Sequence, residues 1–290
     1  MLKEILSDPK KLSLIKCMLE DTTTIETTFD KIIGRSKLEK TLKQCHINVI
    51  KDYGYNNFKV NGRWGFEIMY MCTEIFSVTL SLSCLLIRLL FYFFSTRKHI
   101  HKHFMGKLYK IQFILGCIAW SSSAIFHVHE TTLYRNMDYF SALLFIIYSF
   151  YITVMRVLVE MKINYTTLRK IGIRFFSILF GTYIIFVYHM AFIDFNVYIH
   201  KRFCATIIFL TVSSWMYLYL KIRHKKHSKY LLYNTIMMVI SIIIENSDIP
   251  PFFYIFDSHA LWHLMGCIIE YTYYRFFNND LIYLELNKEK

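Results

Sequence analysis

Long apolar runs separated by short polar segments dominate the chain from about residue 70 onward. Each run has about 20 residues, the length that an α-helix needs to cross roughly 30 Å of hydrocarbon. Seven such runs are visible, at 70–93, 111–128, 138–157, 174–193, 203–220, 230–246 and 259–277. The first and the sixth are the least continuous, since charged residues interrupt or border them, namely Glu67, Glu74, Arg88 and Glu245. The pattern predicts an all-α, polytopic membrane protein with a bundle of seven transmembrane helices.

The remaining segments are polar and set the predicted boundaries. Residues 1–65 have mixed charge and no repeat, and we expect a polar N-terminal segment on the lumenal side. The start of this segment lacks a continuous apolar stretch and is therefore a poor signal peptide. Residues 66–278 form the predicted seven-span domain, and 279–290 form a short cytosolic tail.

Composition supports a helical membrane protein. The chain is 55% hydrophobic and 18% aromatic, with a mean hydropathy of +0.33, which is more than a soluble domain of this length carries. It has 9 Gly and 3 Pro, so little turn chemistry is available for an all-β fold.

The net charge of +13 follows the connections between the runs. The first, third and fifth connections hold Arg97, Lys98, Lys102, Lys107, Lys110, Lys162, Arg169, Lys170, Arg174, Lys221, Arg223, Lys225, Lys226 and Lys229. The even connections hold only Arg135, Lys201 and Arg202. This alternation is the positive-inside bias, and it predicts a lumenal N-terminus and a cytosolic C-terminus. We expect no nucleic-acid partner, because that role needs a basic patch on a folded soluble module.

Two short stretches carry the candidate chemistry, at Ser123, His127, Asp138, His259 and His263. Ser123 and His127 are four residues apart, so a helix places them on one face. His259 and His263 repeat this spacing, by which two imidazoles reach a single metal ion from one helix. A topology set from Lys and Arg alone places all five at the outer ends of their runs, at one membrane depth. Three histidines with a carboxylate and a hydroxyl suit a catalytic zinc site with one open position.

Each feature also has a structural explanation. A lone histidine on an apolar face is usually a satisfied core residue, and an HxxxH pair is a weak motif in a chain with 12 histidines. Ionisable groups at membrane depth are costly and tend to be functional or paired. Their common depth therefore favours a shared metal site.

Four more polar residues have open roles. Glu74 either orients a ligand histidine or is satisfied by a neighbouring hydroxyl or amide. Asp257 either caps the last run or hydrogen-bonds a ligand imidazole. Asp248 is the first residue of a segment that is expected to end a helix and form a turn. His189 is a further candidate for substrate contact.

The seven cysteines show no CxxC pair. Four lie inside apolar runs and are expected to be small core residues, namely Cys84, Cys117, Cys204 and Cys267. Cys17, Cys45 and Cys72 fall on the predicted lumenal side, where one disulfide could form between two of them.

The motifs around the candidate site resemble those of a known family. The chain reads WSSSAIFH at 120–127, MDYFSA at 137–142, SDIPP at 247–251 and DSHALWH at 257–263. Upstream, NGRWGF at 61–66 and the Thr73-Glu74 pair are similar to family segments, with Gly65 and Ile75 replacing prolines. Over about residues 57–285 the chain resembles the Per-one-like family, the GPI-anchor lipid-remodelling hydrolases. The same pattern of Ser, His, Asp and an HxxxH pair is typical of a wider superfamily that includes alkaline ceramidases and the progestin and adipoQ receptors.

The resemblance implies a Zn²⁺ ion held by His127, His259 and His263, with Asp138 and Ser123 beside the hydrolytic water. It implies a phospholipase A2-like ester hydrolase that removes an acyl chain from the GPI anchor of lumenal proteins. Membrane lipids and GPI-anchored proteins are then the partners, and the endoplasmic reticulum or Golgi membrane is the location. On that basis we expect Asp138 to act as general base and then acid, and Ser123 to stabilise the oxyanion.

Two alternatives stay open. One is an alkaline ceramidase-like amide hydrolase that uses the same metal site. The other is a non-catalytic seven-span receptor or chaperone for GPI-anchored proteins. Family members usually carry a cysteine-rich lumenal segment, to which only Cys17 and Cys45 correspond here.

Overall fold

The computed structural model describes residues 8–55, 58–60, 63–101 and 103–286. Residues 1–7, 56–57, 61–62, 102 and 287–290 lie outside the described residues, and they include Asn61, Gly62 and Lys102 of the sequence analysis. The described helices are α1 (Pro9–Glu20), α2 (Thr28–Ile33), α3 (Lys37–Tyr53), α4 (Ile75–Phe94), α5 (Phe104–Val128), α6 (Thr132–Glu160), α7 (Tyr165–Phe192), α8 (Val197–Ile222), α9 (Ser228–Ser247) and α10 (Ser258–Leu286). Apart from isolated β-bridges, no strand occurs in these residues, so the all-α prediction is confirmed.

Local polar side chains determine where the helices begin. Thr27 and Ser36 each form a capping box with the acidic residue three positions later, and so start α2 and α3. The Asn164 and Asn196 side chains accept backbone hydrogen bonds at the first turns of α7 and α8. Asp257 accepts a hydrogen bond of 2.8 Å from the backbone N–H three residues later, which caps α10.

Within the described residues, six helices are long and apolar enough to cross a membrane, judged by length and composition. They are α4 with the 3₁₀ turn that follows it, α5, α6, α7, α8 and α9. The predicted seventh run lies in α10, which falls outside this set because two histidines, Glu270 and Arg275 interrupt its apolar residues. The count of seven spans and the orientation of the termini therefore stay predictions.

Six helices form a closed ring in which each packs against the next, in the order α4, α5, α6, α8, α9, α10 and back to α4. Helix α7 packs mainly on α6, outside the ring, and only 6% of its most apolar window is buried. A core cluster between α5, α6 and α10 includes Tyr109, Tyr148, Ile152, Phe277 and Leu281. Lipid tails are as apolar as these side chains, so close packing and interhelical hydrogen bonds hold such helices together.

Charged side chains inside the bundle are paired. Arg88 of α4 forms a buried ion pair with Glu270 of α10. Gly116 of α5 leaves room for this arginine, because a Cβ atom there would lie 2.1 Å from the guanidinium carbon. Farther along α10, the guanidinium of Arg156 donates to both carboxylate oxygens of Asp280, at 2.7 and 2.8 Å. These pairs satisfy charges that would otherwise be costly at membrane depth.

We expect Arg156→Met to destabilise the bundle by about 3–5 kcal/mol, because it leaves the buried carboxylate of Asp280 without its arginine. Thermal and chemical unfolding of the purified protein in detergent measures this loss. The double variant with Asp280→Asn should regain most of the stability, and Arg169→Met on exposed α7 should change little. Equal stability of the two arginine variants would contradict the pairing.

The N-terminal helices form a unit that is held together by a disulfide. Cys17 of α1 is bonded to Cys45 of α3, and Cys72 is free. The sequence left one disulfide open among these three cysteines, and the structure joins the two that lie in helices. Val49, Ile50 and Phe58 form a small core beside this bond.

Several contacts hold the N-terminal unit against one end of the bundle. The Arg35 guanidinium donates to the Val128 carbonyl at the end of α5, at 2.8 Å. The indole N–H of Trp64 donates to the carboxylate of Asp248 after α9, at 3.1 Å, and Lys59 pairs with the same carboxylate. The predicted turn residue Asp248 therefore also anchors the N-terminal unit.

Replacing Cys17 with Ser should lower the stability of the N-terminal unit by roughly 3–4 kcal/mol, the loop-closure value for a separation of 28 residues. Hydrogen exchange of α1 and α3 measures the change, with Cys72→Ser as the control. Alkylation of Cys17 in unreduced native protein would show that the bond is not formed.

Candidate functional site

Three imidazoles meet at the end of the bundle that faces the N-terminal unit. His127 is the penultimate residue of α5, and His259 and His263 lie in the first two turns of α10. The Nε2 atom of His259 is 3.3 Å from Nε2 of His127 and 3.2 Å from Nε2 of His263. One nitrogen from each ring lies within 4.8 Å of the other two, so that a single ion can contact all three.

These distances fit zinc. A tetrahedral site with Zn–N bonds of 2.0–2.1 Å separates neighbouring ligand nitrogens by about 3.3–3.4 Å. The two Nε2–Nε2 distances are close to that value. Three histidines with a fourth position left open is also the ligand set of a catalytic zinc centre.

The second nitrogen of each imidazole faces a polar partner on another part of the bundle. His127 Nδ1 lies 2.7 Å from a Glu74 carboxylate oxygen, and His259 Nδ1 lies 2.9 Å from that of Glu245. His263 Nδ1 is 3.3 Å from the Ser81 hydroxyl. Such outer partners fix the ring orientation and the tautomer of metal-binding histidines.

The carboxylate partners leave the Nε2 atoms as acceptors. The Nδ1 atom of His259 donates to Glu245, so Nε2 of the neutral ring carries a lone pair. The Glu74 contact favours the same tautomer for His127. Lone pairs that face each other at 3.3 Å repel unless a proton or a metal cation lies between them. A proton joins two nitrogens, whereas one zinc ion satisfies all three.

Backbone geometry brings Glu74 to His127. Glu74 is the residue before α4, and its N–H donates to the His127 carbonyl at 3.1 Å. The adjacent Thr73 N–H donates to the Val128 carbonyl, also at 3.1 Å. The start of α4 is thus joined to the end of α5.

The two other predicted site residues lie on neighbouring turns. Ser123 is buried one turn before His127, with its Oγ 3.2 Å from the Ser81 Oγ. Asp138 lies in the second turn of α6 and is half-buried. The structure thus links the Ser123 hydroxyl to His263 through Ser81, and it places Asp138 on the helix next to that of His127.

The site is open on one side. The side chains of His127 and His263 are almost fully buried, whereas that of His259 is 34% exposed. The Trp262 indole stacks on His259 with an interplanar angle of 14°. The accessible edge of the three-histidine site therefore lies at His259 and Trp262.

The sequence profile of the Per1-like family matches residues 41–281, which include every residue of this site. The chain belongs to the Per1-like family. The resemblance of the motifs at 120–142 and 247–263 is thereby confirmed.

Individual relatives are distant. A Xenopus tropicalis protein named GPI-specific phospholipase A2-like PGAP3 is 29% identical over 175 residues, which are 57% of this chain and 51% of the relative. Its Danio rerio namesake is 28% identical over 178 residues, or 59% and 52% of the two chains. Protein PER1 homolog from Schizosaccharomyces pombe is 23% identical over 239 residues, or 80% and 71%. This Per1-like chain spans about half the length of the PGAP3 relatives, and no solved structure matches it.

The polar residues that the sequence left open now have positions. Glu74 lies against the ligand candidate His127, as one of its two interpretations required. Asp257 caps α10. His189 is exposed near the end of α7 and does not belong to the three-histidine cluster.

Sequence reasoning missed two partners of the imidazoles. In the sequence Glu245 is only a charge that borders an apolar run, whereas in the structure it contacts His259 and also pairs with Lys201 at 2.8 Å. An ionisable residue inside a predicted span was the available signal. Ser81 is one of several serines in its run, and nothing in the sequence distinguishes it.

Elemental analysis of the purified protein should find about one zinc per chain, as expected for a three-histidine site. The double variant His259→Ala/His263→Ala should lose it, and His189→Ala should retain it. Glu245→Gln should bind zinc about 10–100-fold more weakly, because His259 loses its carboxylate partner. A well-folded wild-type protein without zinc would make the cluster a structural polar network.

Proposed function

We propose that this Per1-like chain is a zinc-dependent ester hydrolase that removes an acyl chain from the GPI anchor of lumenal proteins. The observation that carries the proposal is the convergence of three imidazoles, in which two Nε2–Nε2 distances have tetrahedral spacing and one nitrogen of each ring lies within 4.8 Å of the other two. The substrate class follows the names of the PGAP3 relatives.

The chain itself prepares the site for a metal. The carboxylates of Glu74 and Glu245 hold the Nδ1 sides of His127 and His259, so that the Nε2 lone pairs point to one centre. Zinc bound there supplies Lewis acidity and a water that ionises more readily.

Asp138 is the proposed proton carrier. It lies near the start of α6, which packs against α5, the helix that supplies His127. A carboxylate in this place accepts a proton from the hydrolytic water and then gives it to the oxygen of the leaving alcohol. The products are a free fatty acid, which takes the hydroxyl group of the water, and a lyso-GPI lipid, whose alcohol takes the remaining proton.

Ser123 is the proposed hydrogen-bond donor to the developing oxyanion. Its hydroxyl is buried one turn below His127 and lies within hydrogen-bond distance of Ser81. Because Ser81 also contacts His263, the position of the Ser123 hydroxyl is fixed relative to the imidazoles. A donor held in advance stabilises the transition state without reorganisation.

The place of the site suits a lipid substrate. The site lies at the ends of membrane-length helices, where an ester at the edge of the hydrocarbon meets water. With the odd connections in the cytosol, this end faces the lumen. We therefore propose an endoplasmic reticulum or Golgi membrane as the location, with membrane lipids and GPI-anchored proteins as partners.

Asp138→Ala should abolish the release of fatty acid from a GPI lipid while zinc remains bound, because the proton carrier is lost and the three imidazoles are intact. Mass spectrometry of the lipid products and elemental analysis of the same sample measure both properties. Asp194→Asn, on an exposed loop, is the matched control and should stay active. Loss of zinc in the Asp138 variant would instead make this residue a ligand.

The same assay separates the alternatives. Cleavage of ceramide, with the GPI lipid left intact, would indicate an amide hydrolase. Zinc binding without hydrolysis of either lipid, together with full function of His263→Ala in cells, would indicate a receptor or chaperone.

A further inference from the structure

A cavity with charged side chains in a largely apolar wall lies between the N-terminal unit and the carboxylate that contacts His127. Its volume is about 100 Å³, several times what a single water molecule needs. Lys43 of α3 lines one side, and Arg63, Trp64 and Glu74 line the other. Glu74 is therefore shared, because it borders this cavity and contacts His127 as well.

Lys43 faces this cavity without an acidic partner. Its Nζ donates to the Thr73 hydroxyl at 3.0 Å, and no carboxylate within ion-pair distance is found among the described residues. Burial, together with repulsion from Arg35, lowers the pKa of Lys43 to about 8, so the amine is still mostly protonated at neutral pH. An ammonium group that is largely removed from water and has no carboxylate in direct contact favours an anion beside it.

Other cations concentrate around the same hydroxyl. Arg35 Nη2 also donates to the Thr73 Oγ1, at 3.3 Å, so two cationic groups meet at one neutral oxygen. Arg63 borders the cavity, pairs with Glu130 and lies 3.8 Å from Glu74. Arg63 is thus shared between the two acidic groups of the cavity, and neither of these groups lies within ion-pair distance of Lys43.

We propose that this cavity binds the phosphate group of the lipid substrate, with Lys43 as its principal charged contact. A phosphate accepts several hydrogen bonds, and its negative charge would give Lys43 an ionic partner. The room beside Lys43 suits a small tetrahedral anion.

The position of the cavity relates it to the hydrolytic site, and this step rests on the proposed function. A phosphoglyceride carries its phosphate and its acyl esters on one glycerol. A phosphate held beside Glu74 therefore leaves an ester carbonyl near the imidazole that Glu74 contacts. The N-terminal unit, through Lys43 and Arg63, would thus select lipids with a phosphate and place the ester for attack.

Calorimetric titration of the full chain in neutral detergent tests the site with three probes: dihexanoylphosphatidylinositol, dihexanoylglycerol and inorganic phosphate. We expect Lys43→Met to weaken binding of the phospholipid about tenfold or more and to leave binding of dihexanoylglycerol unchanged. Lys43→Arg keeps the charge and should retain much of the affinity. Lys37→Met, at the exposed start of the same helix, is the matched control.

The outcomes are distinct. Phospholipid affinity of Lys43→Met equal to that of the wild type, in protein with an unchanged melting temperature, overturns the site. Lys43-dependent binding of inorganic phosphate, without binding of the phospholipid, overturns the headgroup as the source of the anion. Lys43-dependent phospholipid binding in a protein that releases no fatty acid from a GPI lipid supports the anion site and rejects the proposed function.

Discussion

The contacts between the imidazoles and their outer partners join the helices that carry them. Glu74 at the start of α4 contacts His127 of α5, Glu245 of α9 contacts His259 of α10, and Ser81 of α4 contacts His263 of α10. The helices of each pair also pack against each other in the ring. A shift of one helix along its neighbour therefore moves an imidazole away from its partner. The geometry of the site and the packing of the bundle depend on the same contacts.

Buried ion pairs impose a similar condition on the rest of the bundle. Arg88 and Glu270 join α4 to α10, and Arg156 and Asp280 join α6 to α10. Such pairs add little net stability compared with well-packed apolar residues, but separating one of them is strongly unfavourable. They therefore restrict the arrangements that the helices can adopt. The less apolar helix, α10, takes part in both pairs and also carries two of the three histidines.

The N-terminal unit extends this polar network beyond the bundle. Arg35 contacts the end of α5, and Asp248 after α9 receives Lys59 and Trp64. The disulfide between Cys17 and Cys45 stabilises the helices from which these contacts arise. A segment that the sequence describes only as polar is thus placed directly beside the residue that holds His127.

The sequence by itself determined the all-α class, the approximate position of each long helix and the residues of the three-histidine cluster. These features are local, because the length of an apolar run and a spacing of four residues fix a helix and one of its faces.

The predicted helix ends are less accurate than the helix positions. The first run was placed from 70, but α4 begins at Ile75, because hydropathy does not detect the positive φ angles at Tyr70 and Met71. Only the tertiary structure decided which cysteines pair, that α7 lies outside the ring, that Glu245 and Ser81 hold two of the imidazoles, and that Lys43 faces Glu74 across a cavity. Such contacts depend on the rotation and the relative depth of separate helices, which the spacing within one helix does not encode.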